Sequence, residues 1–418
     1  MKYKQRLVLF LIVLVCLVFL SLTFSFNTEP EEPTQNTVKS NQRSLHASEP
    51  EDHVTPGPTT PPPPIDYTRP WKIWSNWVRE DVLYPNGVLH STEMDLILYG
   101  LSSYPVTKLD VGYKGTQLKA SMYLEGGQRT VFKPMRFSRD AIVDGPDDPC
   151  KGQDRHNGEI ASFHLESILG YRLAPPVAGR KINLTALLPV TSKALYDTYL
   201  TEDGNTCFYG KCLYCKPSEK ACGKGDIMEG SVTIWLPDWY QMKTYRHPYQ
   251  RTYIPDVKAK WEVDDDYCRT RLLTPNSYYY NILPDVFDTM VLDFLVGNAD
   301  RHHFETYALH GLKEGRLMHI DNGKSFGNPN HDEMSILTPL KQCCKLKNST
   351  WEKLRHLKTQ GLSQLLDKSL KRDPLYPVLT QAHLLAIDRR LDVFIGEVLK
   401  CIQQYGRSNV LFDKWPQF

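Results

Sequence analysis

Apolar residues recur at helical spacing between Leu283 and Leu295. Leu283, Val286, Phe287, Met290, Val291, Phe294 and Leu295 fall on one stripe. The pattern predicts a helix against a core, with Pro284 tolerated in its first turn and Gly297 at its stop. Asn298-Ala299-Asp300-Arg301-His302-His303-Phe304-Glu305 follows, then a short apolar strand, Leu317-Met318-His319-Ile320, ending in Asp321-Asn322-Gly323. One acid therefore follows a buried helix and another a buried strand.

Upstream, strand-like Gln117 to Leu124 and Arg129 to Lys133 flank Glu125-Gly126-Gly127-Gln128, which predicts a β-hairpin within Asp110 to Pro134. Lys133 ends the returning strand, and Gly112 and Gly115 precede the first strand, where a loop can approach a ligand closely. Asp154 to Glu159 leads into Ile160, Ala161, Phe163, His164, Leu165, Ile168 and Leu169, a helix stopped by Gly170. Glu229 to Pro237 reads as a short strand with a proline stop, and the chain beyond Cys344 reads as helical. No internal repeat is visible.

The N-terminal pattern is different in kind. Residues 7–26 form an apolar run near the bilayer-spanning length, and Lys2, Lys4 and Arg6 precede it. This predicts a cytosolic tail (1–6), a transmembrane signal anchor (7–26) and a lumenal remainder. A cleaved signal peptide is the other reading, with Thr23-Phe24-Ser25 as the cleavage site. Residues 27–70 are poor in apolar side chains and contain an unbroken run from Pro61 to Pro64, the composition of a disordered stem. Folding is expected to resume near Trp71.

A chain of 418 residues can build two lobes with a large core. Lys plus Arg minus Asp plus Glu is 50 − 48 = +2, so net charge implies no polyanion-binding surface, local basic patches aside, and gives no reason to expect nucleic acid. Cys16 lies in the apolar run. Cys207, Cys212, Cys215 and Cys222 cluster, while Cys268, Cys343, Cys344 and Cys401 are scattered. The cluster alone fits zinc or disulfides; an oxidising lumen favours disulfides and leaves Cys150 as a free thiol. Asn183 and Asn348 head glycosylation triplets, meaningful only in that compartment.

The pair Asp300 and Asp321 has the layout of a phosphotransferase. Asp300 can accept the proton of an acceptor hydroxyl, and Asp321 can hold a metal that neutralises phosphate charge. A strand lysine such as Lys133 can reach phosphates and pair with a helix carboxylate, here Asp154 or Glu159. Each feature has a plainer explanation: solvated loop acids, an edge lysine, first-turn acids that offset the helix dipole. His156, His302 and His303 lack the second pair that zinc needs, and no Gly-x-Ser-x-Gly elbow supports a serine hydrolase.

Taken in order, the stretches Asp110 to Lys119, Val131 to Pro134, Asp154 to Asn157, Cys207 to Cys212, Gly225 to Ser231, Gly297 to His303 and Asp321 to Gly327 resemble the glycosaminoglycan xylosylkinase branch of the Golgi secretory-pathway kinases. The resemblance implies an α+β, atypical two-lobed protein-kinase-like fold, with a small β-rich N-lobe (71–232), a linker with a larger helical C-lobe (233–418), and disulfide stabilisation. It assigns Gln117 and Lys133 to the nucleotide and Thr233, Ile234, Trp235 and Leu236 to the adenine-side linker. Asp300 is then the catalytic base, Glu305 contacts the nucleotide and metal, and Asp154 and Asp321 hold the metal. Glu305 stands where protein kinases carry Asn, and Asp154 where the protein-kinase branch carries Glu and an inactive relative Gln.

The implied cofactors are ATP and Mn2+, with Mg2+ as the other cation. The implied cysteine pairs are Cys207–Cys222, Cys212–Cys215, Cys268–Cys343 and Cys344–Cys401. The implied acceptor is the 2-hydroxyl of xylose in the galactosyl-xylose linkage glycan of proteoglycans. A Golgi-lumenal, single-pass type II protein is expected, secreted if the N-terminal segment is cleaved, and able to pair with itself or a related kinase. Competing readings are a secretory Ser protein kinase, a pseudokinase that activates a partner, and a disulfide-rich glycan-binding module.

Overall fold

The computed structural model describes residues 65–113, 115–143, 154–254, 256–311 and 315–416. The expected anchor, all of the stem before residue 65, Cys16 and Cys150 lie outside them. Among the described residues no helix is long and apolar enough to cross a membrane.

Helix α1 (Arg69–Trp77) opens the fold two residues ahead of Trp71, with Pro70 in its first turn. Trp71 and Trp74 are buried, and each indole N–H reaches a carbonyl, Glu125 O at 2.8 Å and Trp235 O at 2.9 Å. Helix α2 (Thr92–Ser103) is capped by Ser91, whose hydroxyl accepts from the Met94 N–H. Strands β1 (Val106–Val111), β2 (Ala120–Leu124) and β3 (Gln128–Pro134) follow. The hairpin expected around Gly126-Gly127 is present, but β2 starts at Ala120 and not at Gln117. Residues 112–113 and 115–119 instead lie outside any strand, with Gly115 at positive φ.

Helix α3 (His156–Leu169) ends at left-handed Gly170, as its sequence predicts. Strand β4 (Val177–Asn183) comes next. A small sheet of β5 (Tyr199–Glu202), β6 (Asn205–Phe208) and β7 (Ala221–Cys222) precedes β8 (Ile227–Ile234). The main sheet is antiparallel throughout, in the order β1-β2-β3-β8-β4. The segment expected as a short linker strand is thus the buried neighbour of both β3 and β4.

Strand β9 (Tyr240–Arg246) begins the second, mainly helical half. Helix α4 (Leu283–Val296) has the bounds its stripe predicts and stops at left-handed Gly297. It is buried nearly all round, so it runs through the core and does not lie on its surface. Two of its acids are buried with partners: Asp288 takes the Thr350 hydroxyl at 2.8 Å, and Asp293 takes Arg301. Strands β10 (His303–Leu309) and β11 (Leu317–Met318) join β9 in the order β11-β10-β9. Helix α5 (Thr338–Cys343), strand β12 (Leu346–Lys347), helices α6 (Asn348–Gln360), α7 (Leu362–Leu370) and α8 (Gln381–Tyr405), and strand β13 (Leu411–Phe412) complete the chain.

All four expected disulfides are formed, which removes the zinc reading of the cysteine cluster. Cys268–Cys343 and Cys344–Cys401 close spans of 75 and 57 residues. Each restricts the unfolded chain by about 4 kcal/mol on loop-closure grounds.

Candidate active site

Three elements deliver charge to one point. Lys133 comes from the end of β3, Asp154 and Glu159 from the start of α3, and Asp321 from the loop after β11. Lys133 Nζ donates to Asp154 Oδ2 at 2.8 Å, Glu159 Oε1 at 2.5 Å and Asp321 Oδ1 at 2.8 Å. Burial opposes charge on Lys133, but Asp154, Asp321 and Glu159 outweigh it and hold the ammonium well above its ordinary range. Lys133 in turn holds Asp321 well below the usual carboxylate range. Burial pushes Glu159 up against the pull of Lys133.

Exposure separates the three acids. The side chains of Asp154 and Glu159 are 9% and 6% exposed, whereas Asp321 is 65% exposed and faces outward. Asp321 also sits in left-handed backbone, φ 59°. For a residue other than glycine this costs of order 1–2 kcal/mol, a strain typical of functional loops.

Two close approaches hold the loop against α3. A Cβ on Gly158 would lie 2.8 Å from Asn322 O and 3.1 Å from Ser325 O, and one on Gly323 would lie 2.5 Å from Asp154 Cγ. Only glycines permit this packing, and the Arg155 N–H donates to Gly323 O at 2.8 Å across it.

The carboxylate oxygens of Asp154, Glu159 and Asp321 lie within 4.8 Å of one another. An all-oxygen, anionic set suits Mn2+ or Mg2+ and not a zinc-type site. The three acids around Lys133 therefore fit a nucleotide-bound divalent ion. His302 and His303 belong to no group of three candidate ligands among the described residues.

Asp300 lies on the neighbouring loop, and Arg301 couples that loop to Asp321. The Arg301 guanidinium pairs with both oxygens of Asp293 on α4, at 2.7 and 3.0 Å, and donates to Asn322 Oδ1 at 2.9 Å and to Ile320 O. Burial opposes its charge, but Asp293 holds it above its ordinary range. Glu305 projects from β10 opposite Met318; burial and then the charge of Asp321 push its carboxyl up. Lys119 also acts on both Asp321 and Glu305.

A cleft of about 1010 Å³ carries Gln117, Asp300, His302 and Tyr253 on its wall, with Arg136, Tyr214 and Lys324. This is room for a nucleotide-sized ligand. Lys133, Asp154 and Asp321 are not on that wall; Lys324, three residues past Asp321 in the same loop, is.

Thr233 and Ile234 end β8, and Trp235 and Leu236 follow it. The Ile234 and Trp235 N–H groups donate to Pro176 O and Arg129 O, and Trp235 O accepts from Trp74 and Gln128. Leu236 N–H donates to no backbone carbonyl among the described residues. Asn183 is exposed at the end of β4. Asn348 is half-buried, bonded to Asp413 and Arg407, and the hydroxyl of its Thr350 is buried on Asp288.

Four residues with site contacts were not assigned roles from sequence: Glu159 as a settled partner of Lys133, Arg301, His302 and Tyr253. Arg301 had a usable signal, since Asp293 lies among Val291, Leu292, Phe294 and Leu295 near the end of a buried helix and needs a cation.

A family model described as Golgi casein kinase, C-terminal, Fam20 matches residues 69–410. The chain is 44% identical to the human glycosaminoglycan xylosylkinase over 422 residues, covering 100% of this chain and 99% of that one. A hydra Fam20 structure with sugar aligns with a TM-score of 0.77 at 44% identity, covering 82% of this chain and 98% of that one. A Golgi casein kinase with Mn and ADP bound aligns with a TM-score of 0.78 at 33% identity, covering 83% and 84%. On its residues, its fold and these likenesses, the chain belongs to the Golgi casein kinase family, Fam20.

Proposed function

We propose that this kinase transfers the γ-phosphate of ATP to the 2-hydroxyl of xylose in the galactosyl-xylose linkage glycan of proteoglycans, with Mn2+ or Mg2+ as its cation. Identity of 44% along the whole length of the human xylosylkinase carries the acceptor assignment. The convergence of Lys133, Asp154, Glu159 and Asp321 supports the phosphotransfer chemistry.

Asp154, Asp321 and Glu159 would hold the cation, whose role is to neutralise charge on the phosphates. Lys133 offers its N–H groups to phosphate oxygens from a position its carboxylate partners fix. Asp300 orients the acceptor hydroxyl and takes its proton. Gln117 lines the nucleotide side of the cleft, Glu305 supports the Asp321 end, and Thr233 to Leu236 form the adenine-side linker, with the Leu236 N–H as the donor left for a base.

The protein is further proposed to work in the Golgi lumen, held by residues 7–26 as a type II anchor above a stem that ends ahead of α1 at Arg69, or secreted after cleavage. The apolar run and its preceding basic residues support this reading. The N-lobe (71–232) and C-lobe (233–418) meet at the linker. Asn183 is the better glycan acceptor of the two triplets, because its side chain is exposed. Pairing with a second copy or a related kinase is the further partner that the family resemblance suggests.

The test is transfer by the lumenal part to a galactosyl-xylose acceptor and to an acidic Ser peptide, each with ATP and Mn2+. Phosphate located on the xylose 2-hydroxyl by mass spectrometry is the expected result. Transfer to the peptide alone would replace the glycan reading with a protein kinase.

A further inference from the structure

Tyr253 stands outside the sequence motifs, yet its hydroxyl donates to Asp300 Oδ1 at 2.6 Å. The same oxygen has His302 Nδ1 3.4 Å away, and His302 N–H donates to the Asp300 carbonyl at 2.9 Å. The Tyr253 and His302 rings meet edge to face, with centroids 5.5 Å apart. Both contacts therefore fall on one oxygen of the carboxylate.

The loop that carries Tyr253 is anchored just ahead of it. Gln250 O accepts from the Trp261 indole at 2.8 Å. Arg251 donates to Glu262 at 3.2 Å and to Ser335, and its guanidinium lies over the Trp261 ring. Within this frame Tyr253 adopts left-handed backbone, φ 55°, and Asp256 does so again at 62°. A bulky residue enters that region only when its surroundings hold it there. The result is an aromatic side chain, 52% exposed, on the wall of the cleft and tied to the proposed base.

We propose that Tyr253 is a positioning residue for phosphoryl transfer: its hydroxyl fixes the Asp300 carboxylate by one oxygen, so that the other is presented to the acceptor hydroxyl. This rests on Asp300 being the base. A carboxylate held by one charge-assisted hydrogen bond loses rotational freedom without losing its second acceptor site. The acceptor hydroxyl then meets an oriented oxygen, and its proton passes to Asp300 Oδ2 as the oxygen–phosphorus bond forms and the bond to the leaving diphosphate breaks.

The experiment compares wild type, Tyr253→Phe and Asp300→Asn in steady-state transfer to galactosyl-xylose, with Mn–ADP thermal stabilisation as the control for folding and nucleotide binding. Tyr253→Phe is expected to lower kcat by about tenfold to a hundredfold, the effect of one hydrogen bond to a charged group, with KM for ATP and acceptor within about twofold. Asp300→Asn is expected to abolish transfer. Should Asp300→Asn abolish transfer while Tyr253→Phe keeps or exceeds the wild-type kcat, Tyr253 is a displaceable cover and the inference fails alone. Should Asp300→Asn retain transfer, the base assignment itself falls and takes the inference with it.

Discussion

Lys133 is buried among three carboxylates, and only Asp321 among them faces outward. A buried ammonium needs such compensation, because stripping its water costs several kcal/mol without it. Glu159 and Asp154 therefore serve the fold as well as the chemistry. Glu159→Gln keeps the volume and leaves Lys133 with two acids. It is expected to cut transfer by about tenfold to a hundredfold, the usual cost of losing a group that orients a ligand-binding side chain. Mn–ADP stabilisation should shrink in parallel, measured by thermal unfolding; full transfer with full stabilisation would remove Glu159 from the site. At this scale Lys133, Asp300 and Asp321 stood out as candidates because each lies at or just past the end of a strand or a helix. Asp154 and Glu159 were legible only as alternatives. Helical phase says which face a residue takes, not where that face points relative to a strand 21 residues earlier. Tyr253 was not legible at all, since a loop residue in left-handed backbone leaves no periodic trace.

Elements built on strong periodicity came through the sequence well: the hairpin of β2 and β3, helices α3 and α4 with their glycine stops, and the helices α6 to α8. Strand β9 did not, because it is an edge strand whose residues are mostly exposed, so no apolar alternation marks it. The packing of α3 on the Asp321 loop was also invisible, although it turns on two glycines, Gly158 and Gly323. Gly158 lies inside α3, where alanine is ordinarily favoured by about 1 kcal/mol. Here the added methyl would meet two backbone carbonyls, Asn322 O and Ser325 O, which cannot move without shifting Asp321. Gly158→Ala is expected to lower stability by about 1–3 kcal/mol, as overpacking does, and to weaken Mn–ADP binding. Urea denaturation decides it: a gain in stability would mean that helix and loop separate freely.

Across the whole molecule the cysteines and the buried histidines set the conditions under which the site survives. The two long-range disulfides tie the end of α5 to the turn at Cys268, ahead of α4, and to α8, restraining the helical half independently of pH. The histidines do the opposite. Burial lowers His164 and His247 to about 3 and His383 to about 4, and His90 and Arg372 add repulsion at His164. In the unfolded chain each titrates near 6.5. Above that value they are neutral in both states and neutral folding is undisturbed. As pH falls from about 6.5 toward 4, the unfolded chain binds protons that the folded chain refuses, so stability falls with pH. Each contributes a loss of about 2 kcal/mol between pH 6.5 and 5. His302 runs the other way, raised chiefly by its hydrogen bond to Asp300, but burial lowers His90, His156 and His303 as well, so it is one group against six. His164→Gln can keep a polar partner for Ser369 Oγ, which His164 Nδ1 meets at 2.7 Å. Urea midpoints at pH 7, 6 and 5 should fall steadily for the wild type and less steeply for the variant. Equal slopes for the two proteins would show that the native state opens to admit a proton at His164, and that its burial does not govern acid sensitivity.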